Sequence, residues 1–159
     1  MIAALFAIDE NGGMGLNGTM PWPRNKDDLS WFKKTTLNQV VVMGRNTWNS
    51  EDMPSPLPKR VNVVFTNNTI PDPSVIQLSG DICEQLQYVQ KLFPDLDIYV
   101  IGGADILMKS LPVIEKMYIT RLYGDYDCDV IINIDHVLDG FTLVNSNIMP
   151  SCTIEEYIK

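Results

Sequence analysis

The sequence predicts an α/β fold with a mixed, mostly parallel central sheet, antiparallel strands at its C-terminal end, and about four flanking helices. Short apolar runs recur through the first two-thirds of the chain, and helix-like stretches separate many of them; this pattern is typical of parallel strands joined by helices. After residue 112 no long helix is evident, and polar turns join the remaining apolar runs. The length of 159 residues fits a single domain over residues 1–159.

The strands are predicted from where the apolar runs begin and end. The runs assigned to the parallel part of the sheet are Ile2–Ile8, Val40–Met43, Val61–Phe65, Val75–Leu78, Ile98–Ile101 and Lys116–Thr120. The runs assigned to its C-terminal part are Val130–Ile134, Phe141–Val144 and Cys152–Ile158. Together they predict one mixed sheet that turns antiparallel at its end.

Two helices have clear signals. The first has Asn25 as a candidate N-cap and shows helical spacing along one face, at Asp28, Trp31, Phe32 and Thr35. The second begins at a capping box, Asp81-Ile82-Cys83-Glu84, and is expected to end before Pro94.

Composition excludes several classes of protein. No apolar run approaches the roughly 20 residues that cross a bilayer, and the N-terminus lacks a basic leader, so a cytoplasmic protein without a membrane partner is expected. The net charge of −8 argues against a nucleic-acid partner. A lone histidine, His136, excludes a two-histidine metal centre, and three cysteines without paired spacing are expected to be reduced.

Charge is unevenly distributed, because residues 24–60 carry seven basic and four acidic side chains in an otherwise acidic chain. This favours a local anion site, and Arg45 and Arg60 lie at predicted element junctions. A second acidic stretch, with Asp125, Asp127 and Asp129, resembles the start of a calcium loop but lacks its glycine and its final glutamate. We interpret it as an acidic turn and expect no metal.

Gly13-Met14-Gly15-Leu16-Asn17-Gly18 matches the glycine pattern of dinucleotide-binding turns, but Met20-Pro21-Trp22-Pro23 follows where that motif needs a helix. A mobile glycine-rich loop leading into Met-Pro-Trp resembles an active-site lid, and an ordinary surface turn is the alternative. Better phosphate candidates run from strand through glycine into helix, at Val40–Thr47 and Ile98–Ala104. With Arg45 they favour a cofactor containing pyrophosphate, although such glycines also serve simple tight turns.

Asp28 is the most informative acidic residue, since it shares the apolar helix face with Trp31 and Phe32. A capping role is the alternative, because Asp28 could bond back to the N–H of Asn25. The lid before it, the two glycine junctions after it and a distant Thr120 that could hydrogen-bond its carboxylate favour a ligand-binding role.

Seven segments in order resemble dihydrofolate reductase, and the resemblance covers nearly the whole chain. They are Leu5-Phe6-Ala7; Gly15 with Met20-Pro21-Trp22; Asp28–Lys33; Val42–Trp48; Pro56–Arg60; Val100–Ala104; and Tyr118-Ile119-Thr120. The resemblance implies NADPH-dependent reduction of 7,8-dihydrofolate to 5,6,7,8-tetrahydrofolate, with hydride transfer to pterin C6 and protonation of N5.

The resemblance also implies the site residues. The catalytic set is Asp28, Met20, Trp22 and Thr120. The substrate set is Leu5, Phe6, Ala7, Asp28, Phe32, Leu57, Arg60, Ile101 and Thr120, with Arg60 on the glutamate tail. The cofactor set is Ala7, Met14, Gly15, Met20, Gly44, Arg45, Asn46, Thr47, Thr66, Asn67, Ile101, Gly102, Gly103 and Ala104. A cis Gly102–Gly103 peptide and a lid-closing role for Asp129 are further implications.

Two other functions remain open at this point. The first is a pyrimidine reductase of the same fold; its substrate has no glutamate tail, so it would not need Arg60 as a partner for one. The second is a non-catalytic pterin- or nucleotide-binding protein, which would not need Asp28. The sequence departs from compact members of the family in a longer segment, Glu51–Ser55. A single compact domain without an excess apolar face is expected to be a monomer.

Overall fold

The computed structural model describes residues 1–159 and contains ten strands, five α-helices and one 3₁₀ turn. The strands are β1 (Ile2–Ile8), β2 (Gly13–Gly15), β3 (Val40–Gly44), β4 (Val61–Phe65), β5 (Val75–Leu78), β6 (Ile98–Gly102), β7 (Lys116–Leu122), β8 (Val130–Ile131), β9 (Thr142–Ile148) and β10 (Cys152–Ile158). The helices are α1 (Lys26–Thr36), α2 (Arg45–Trp48), α3 (Ile82–Leu92), α4 (Ala104–Ser110) and α5 (Ile134–Val137), and the 3₁₀ turn is Leu111–Val113.

Eight strands form the central sheet, in the order β5-β4-β3-β6-β1-β7-β10-β9. The strands from β5 to β7 run parallel to their neighbours, whereas β10 lies antiparallel to both β7 and β9. The predicted fold class is therefore confirmed. Five helices are present against the expected four or so, because α2 and α5 are single turns.

The sheet is apolar on both faces because helices cover both. Alternate residues of β1 show the two sides: Ala4 and Phe6 pack in the main core with α3 and α4, whereas Leu5 packs against Trp31 and Phe32 of α1. Even-numbered residues of β1 therefore face the structural core, and odd-numbered residues face the side that carries α1.

Residues 130–134 differ from the prediction of one strand. Only Val130–Ile131 is extended, and it pairs with Gly13–Gly15 in a separate two-stranded sheet. The chain then enters α5, where the side chain of Asn133 accepts the N–H of His136 and caps the helix. A local capping hydrogen bond outweighed the apolar pattern. The sequence predicts Gly13–Gly15 as part of a mobile loop, but in the structure this segment is a strand paired with β8.

The other boundaries lie close to the predictions. Asn25 and Asp81 cap α1 and α3, and α3 ends at Leu92, before Pro94. The strand predicted at Phe141–Val144 begins one residue later and runs on to Ile148. No helix of the structure combines the length and the apolarity needed to span a membrane.

Candidate active site

The site is centred on a hydrogen bond between α1 and β7. The hydroxyl of Thr120, a residue only 1% exposed, donates to Oδ1 of Asp28 at 2.6 Å. Burial raises the pKa of Asp28, and the hydrogen bond from Thr120 partly opposes this shift. The predicted contact is present, and it holds a carboxylate whose ionised form is costly to bury.

The side chain of Asn25, and not that of Asp28, caps the N-terminus of α1. Asn25 accepts the backbone N–H of Asp28 at 3.0 Å and so caps α1 itself. The Asp28 carboxylate bonds Thr120 instead, and its Oδ2 has no partner within the protein. No buried side-chain oxygen lacks a hydrogen bond, so Oδ2 is accessible to solvent or to a ligand.

An apolar wall adjoins this carboxylate. The register of β1 and β7 pairs Leu5 with Tyr118 and Ala7 with Thr120, so both β1 residues lie on the face of Asp28. Phe32 of α1 and Ile101 of β6 pack both against the cluster that contains Leu5 and against the one that contains Leu57. Of the predicted lining residues, the structure therefore brings these five to one side of the sheet.

Phe6 is the exception among the predicted substrate-binding residues. It alternates with Leu5 and Ala7 along β1, and its side chain lies in the main core on the opposite face, 5% exposed. The side chain therefore points away from Asp28, because neighbouring residues of a strand point to opposite faces. Only its backbone can contribute to the site.

Arg60 lies at the other end of α1. Its Nε donates to the Thr36 hydroxyl at 3.2 Å and its Nη1 donates to the Pro58 carbonyl at 3.1 Å. The guanidinium carbon is 6.0 Å from the centre of the Phe32 ring, and burial lowers the pKa of Arg60. Asp28 and Thr36 are eight residues apart, roughly 12 Å along a helix, so the carboxylate and the guanidinium bracket the apolar wall.

The two glycine junctions meet at neighbouring strands. The register of β3 and β6 places Met43 beside Gly102, and the Gly102–Gly103 peptide is cis. A Cβ on Gly44 would lie 2.9 Å from Cγ1 of Ile106, so only glycine allows this approach of β3 to α4. The hydroxyl of Thr47 faces Gly103 from α2.

The helices at these junctions lack side-chain caps. Asn25, Asp81 and Asn133 cap α1, α3 and α5, whereas α2 after Gly44 and α4 after Gly103 begin without one. Their first N–H groups are left for other acceptors. The remaining predicted cofactor residues at these junctions are the exposed Arg45 and Asn46, the half-buried Ala104, and Thr66 and Asn67 directly after the β4 residue that pairs with Gly44.

Residues 16–22 form what we call the lid segment. The N–H of Asn17 donates to Asp129 at 3.1 Å. Met20 is 40% exposed, whereas Trp22 is 8% exposed and stands edge-on to Tyr126 at 6.0 Å. Before the segment, Met14 packs against the main core and Gly15 accepts the N–H of Asp129.

Two buried polar residues that the sequence interpretation missed support the site. The Asp9 carboxylate accepts the N–H groups of Asn11, Gly13 and Tyr126, and so joins the turn after β1 to the turn before β8. Asn62 bonds both backbone groups of Leu57. The signal for Asn62 was an amide inside an apolar run, since a buried polar side chain needs partners.

Comparison with known proteins gives the family. The family model described as dihydrofolate reductase matches residues 1–152. The chain belongs to the dihydrofolate reductase family. "Dihydrofolate reductase type 8" of Escherichia coli is 34% identical over 136 residues, which are 80% of this chain and 79% of that protein.

Two further dihydrofolate reductases extend the comparison. The protein of that name from Ureaplasma parvum is 28% identical over 158 residues, covering 99% of this chain and 96% of its own. The one from Bacillus subtilis is 31% identical over 134 residues, covering 81% and 73%. The chain is thus an enzyme that reduces dihydrofolate, and its family implies a nicotinamide cofactor.

Proposed function

We propose that the chain reduces 7,8-dihydrofolate with NADPH, and that Asp28 anchors the pterin while Arg60 holds the glutamate tail. The observation that carries this assignment is the partly buried Asp28–Thr120 pair at one end of an apolar wall with a guanidinium at the other. A long substrate with a polar head, an aromatic middle and an anionic tail fits that order of groups.

The carboxylate suits the edge of a pterin. N3 and the 2-amino group present two parallel donors, which two carboxylate oxygens can accept together. Oδ1 of Asp28 already accepts the Thr120 hydroxyl at 2.6 Å and keeps a second lone pair, while Oδ2 is without a partner. The role of Thr120 is to fix the plane of the carboxylate. Burial strengthens the pairing, because charges interact more strongly where water is excluded.

The proton and the hydride take separate routes. NADPH supplies, when bound, the hydride that is transferred from nicotinamide C4 to pterin C6. N5 takes its proton from water admitted beneath the lid segment of Met20 and Trp22, because Asp28 bonds the far edge of the pterin. Asp28 therefore orients and polarises the substrate without direct contact with the reacting atoms.

The apolar wall and Arg60 complete the substrate site. Leu5, Ala7, Phe32, Leu57 and Ile101 line the pterin and p-aminobenzoyl rings, and the main-chain carbonyls of Leu5 and Ile101 accept from the pterin amino group. Arg60 pairs with the α-carboxylate of the tail; Nη2 makes no hydrogen bond within the protein. The absence of competing acidic partners leaves the guanidinium available for a carboxylate.

The uncapped helix starts support a pyrophosphate at Gly44–Thr47 and Gly102–Ala104, where backbone N–H groups remain open. Met14, Gly15, Met20 and Ala7 are assigned to the nicotinamide side. Preference for NADPH over NADH rests on Arg45 with Thr66 and Asn67, which directly follow the paired residues Gly44 and Phe65 at the carboxyl ends of β3 and β4. A guanidinium there would pair with the adenosine 2′-phosphate.

The test mixes purified protein with dihydrofolate and follows the loss of nicotinamide absorbance, with NADPH or NADH and with or without an antifolate. We expect antifolate-sensitive oxidation of NADPH and a KM for NADH at least about tenfold higher, the size of one lost charge contact. Arg45→Ala should reduce that discrimination without changing the KM for dihydrofolate. Equal KM values for the two cofactors would contradict the role of Arg45.

A further inference from the structure

The glycine-rich run after β1 contains two Asn-Gly pairs, Asn11-Gly12 and Asn17-Gly18, and no other asparagine of the chain precedes a glycine. In such a pair no side chain shields the backbone nitrogen of the glycine, so this nitrogen can approach the side-chain carbonyl carbon of the asparagine. Attack at that carbon releases the side-chain amide as ammonia and makes asparagine a labile residue. The two pairs share this chemistry, but the fold holds them differently.

Asn17 and Gly18 are the central residues of an exposed turn in the lid segment. Both have positive φ, 51° and 80°, and the backbones of Leu16 and Thr19 bond each other on either side. Turns of this kind favour Asn-Gly, which gives the pair a structural role. The Asn17 side chain and the Gly18 N–H nevertheless make no hydrogen bond within the protein, and a Cβ on Gly18 would meet nothing within 4 Å. The attacking nitrogen is therefore free and open to solvent.

In the other pair the glycine is held. Asn11 is exposed, but Gly12 is buried; its N–H donates to the Asp9 carbonyl at 3.2 Å and its carbonyl accepts the N–H of Ile132 at 3.0 Å. The N–H of Asn11 donates to the Asp9 carboxylate at 2.9 Å. A Cβ on Gly12 would lie 2.6 Å from the carbonyl oxygen of Ile132, so the backbone has little room to rotate. The Asn11-Gly12 pair is thus an internal control for Asn17-Gly18.

We propose that Asn17 is a site of spontaneous deamidation, with water as the only co-reactant. The Gly18 nitrogen bonds to Cγ of Asn17 while the Cγ–Nδ2 bond breaks, and ammonia leaves with the proton of the Gly18 N–H. Water then adds to either carbonyl of the resulting cyclic imide and opens the ring. The product is aspartate or isoaspartate at position 17, and no group is oxidised or reduced. The inference does not depend on the proposed function, because the reaction needs neither substrate nor cofactor.

Deamidation places a negative charge beside another carboxylate. The N–H of Asn17 donates to Oδ2 of Asp129 at 3.1 Å, so the new charge arises on the residue that Asp129 holds. Like charges this close repel each other, although solvent screens an exposed pair. Isoaspartate also lengthens the backbone within the turn. Both products therefore weaken the hydrogen bond between residue 17 and Asp129.

The experiment ages the full chain in native buffer and in guanidinium chloride, and measures deamidation at each site by peptide mass spectrometry. Asn17→Gln and Asn11→Gln are matched variants, because glutamine keeps the amide but places its carbonyl carbon one bond further from the following nitrogen. Ion-exchange chromatography follows the added negative charge, and enzymatic methylation of isoaspartate identifies the isomer. Circular dichroism checks that each variant is folded.

In the folded chain we expect Asn17 to react at least about tenfold faster than Asn11, because the Gly12 nitrogen must first lose hydrogen bonds of about 1 kcal/mol each. In denaturant the two sites should react at similar rates, since the reacting pair of residues is the same. Asn17→Gln should remove most of the acidic species that forms in native buffer, whereas Asn11→Gln should leave it unchanged.

The effect on the turn is measured with Asn17→Asp, which reproduces one of the two products. Protection of the residue 17 amide against hydrogen exchange, followed by NMR, should fall by about two- to fivefold, the size of an interaction between exposed charges. Asn17→Gln should keep the protection of the parent chain, because it adds no charge.

Three results would overturn the proposal: deamidation at Asn17 no faster than at Asn11 in the folded chain, an acidic species that persists in Asn17→Gln, or full amide protection in Asn17→Asp. The outcome is separable from the proposed function. None of these measurements uses dihydrofolate or NADPH, whereas failure of the parent chain to oxidise NADPH with dihydrofolate would contradict the proposed function whatever the rate of deamidation.

Discussion

At the scale of single residues, the site depends on a carboxylate placed where its charge is unfavourable. Burial raises the pKa of Asp28, and the Thr120 hydroxyl offsets only part of the cost. Such a group lowers the stability of the free protein, and a cationic or donor-rich ligand offsets this free-energy cost when it binds. The same physical feature therefore yields an activity prediction and a stability prediction.

Asp28→Asn is expected to reduce turnover of dihydrofolate by about 100-fold near neutral pH, the usual loss when one preorganised electrostatic contact is removed. NADPH binding should be unaffected, because Asp28 contacts neither glycine junction. Steady-state kinetics and NADPH titration measure the two effects. Turnover equal to that of the parent chain would remove Asp28 from the mechanism.

The same substitution is expected to raise the Tm at neutral pH. With a pKa raised by folding, Asp28 binds its proton more tightly in the folded state, so the parent chain loses stability as pH rises through the ordinary aspartate range, about pH 4, and above it. Asp28→Asn does not titrate. The Tm difference should therefore grow from acid to neutral pH, and a constant difference in thermal melts would contradict the raised pKa.

Arg60→Leu is expected to raise the KM for dihydrofolate on the order of 10- to 100-fold, because the tail carboxylate loses a charged hydrogen-bond donor. A dihydropterin without the glutamate tail should show little change. Lys59→Asn is the matched control, since it removes the adjacent charge and asparagine tolerates the left-handed φ of 58° at that position. Equal KM changes for both substrates would refute the assignment of Arg60 to the tail.

At the scale of elements, buried polar side chains hold the irregular segments against the sheet. Asn62 of β4 bonds the N–H of Leu57 at 3.0 Å and its carbonyl at 2.9 Å, so a segment without regular structure is fixed at the apolar wall beside Asp28. Gln77 of β5 holds both backbone groups of Ile70, a residue outside the predicted substrate set, in the same way. In both strands, an amide side chain bonds the N–H and the carbonyl of one residue in a neighbouring loop.

Asn62→Ala is expected to lower the free energy of unfolding by about 2–4 kcal/mol, because buried backbone groups of Leu57 lose their partners. It should also raise the KM for dihydrofolate, since Leu57 is no longer held. Gln77→Ala is the control that should destabilise without changing this KM. Denaturant unfolding and steady-state kinetics test both. An unchanged KM in Asn62→Ala would separate Leu57 from the substrate site.

Asp9→Asn tests the connection between the turn after β1 and the turn before β8. Burial acts to raise the pKa of Asp9, but N–H groups of Tyr126, Gly13 and Asn11 outweigh it and lower the pKa. The variant should lose about 1–3 kcal/mol of unfolding free energy near pH 7. The loss should shrink as the pH falls below about 4, because the unfolded parent chain then binds a proton at Asp9 that the folded carboxylate takes up only at lower pH. Denaturant melts across pH measure this, and a pH-independent loss would contradict it.

At the scale of the whole molecule, one sheet separates a structural face from a functional one. The main core lies between the sheet and α3 with α4, while α1 covers the face that carries Asp28. Every residue of the edge strand β9 is exposed, and its pairing with β10 is interrupted by an irregularity at Glu156 and Tyr157. Such interruptions twist an edge away from further strand pairing.

The chain is expected to be a monomer. The twisted edge and the net charge of −8 both oppose association of copies. Sedimentation velocity at micromolar concentration should show a single species near 17.9 kDa. A dimer that persists at such concentrations would contradict this expectation, and the exposed edge strand β9 would then be the first candidate for the interface.

Local patterns in the sequence determined the order of strands and helices, the cap at Asn25 and the helix face that carries Asp28. These features depend on residues close together in the chain, where hydrogen bonding and hydrophobic periodicity act directly. Resemblance in ordered motifs then determined the family. The same local signals misjudged residues 130–134, because the strand pairing and the Asn133 cap compete there.

Only the tertiary structure decided which residues of β1 share a face with Asp28, and it placed the side chain of Phe6 on the opposite face. It also decided the partners of Asn62 and Asp9. The Asp9 carboxylate gave no distinctive pattern in the sequence, since an aspartate in a turn looks the same whether it binds water or an N–H group more than 100 residues away, as Asp9 does with Tyr126. Partners distant in the chain are fixed by packing of the whole sheet, which local sequence does not encode.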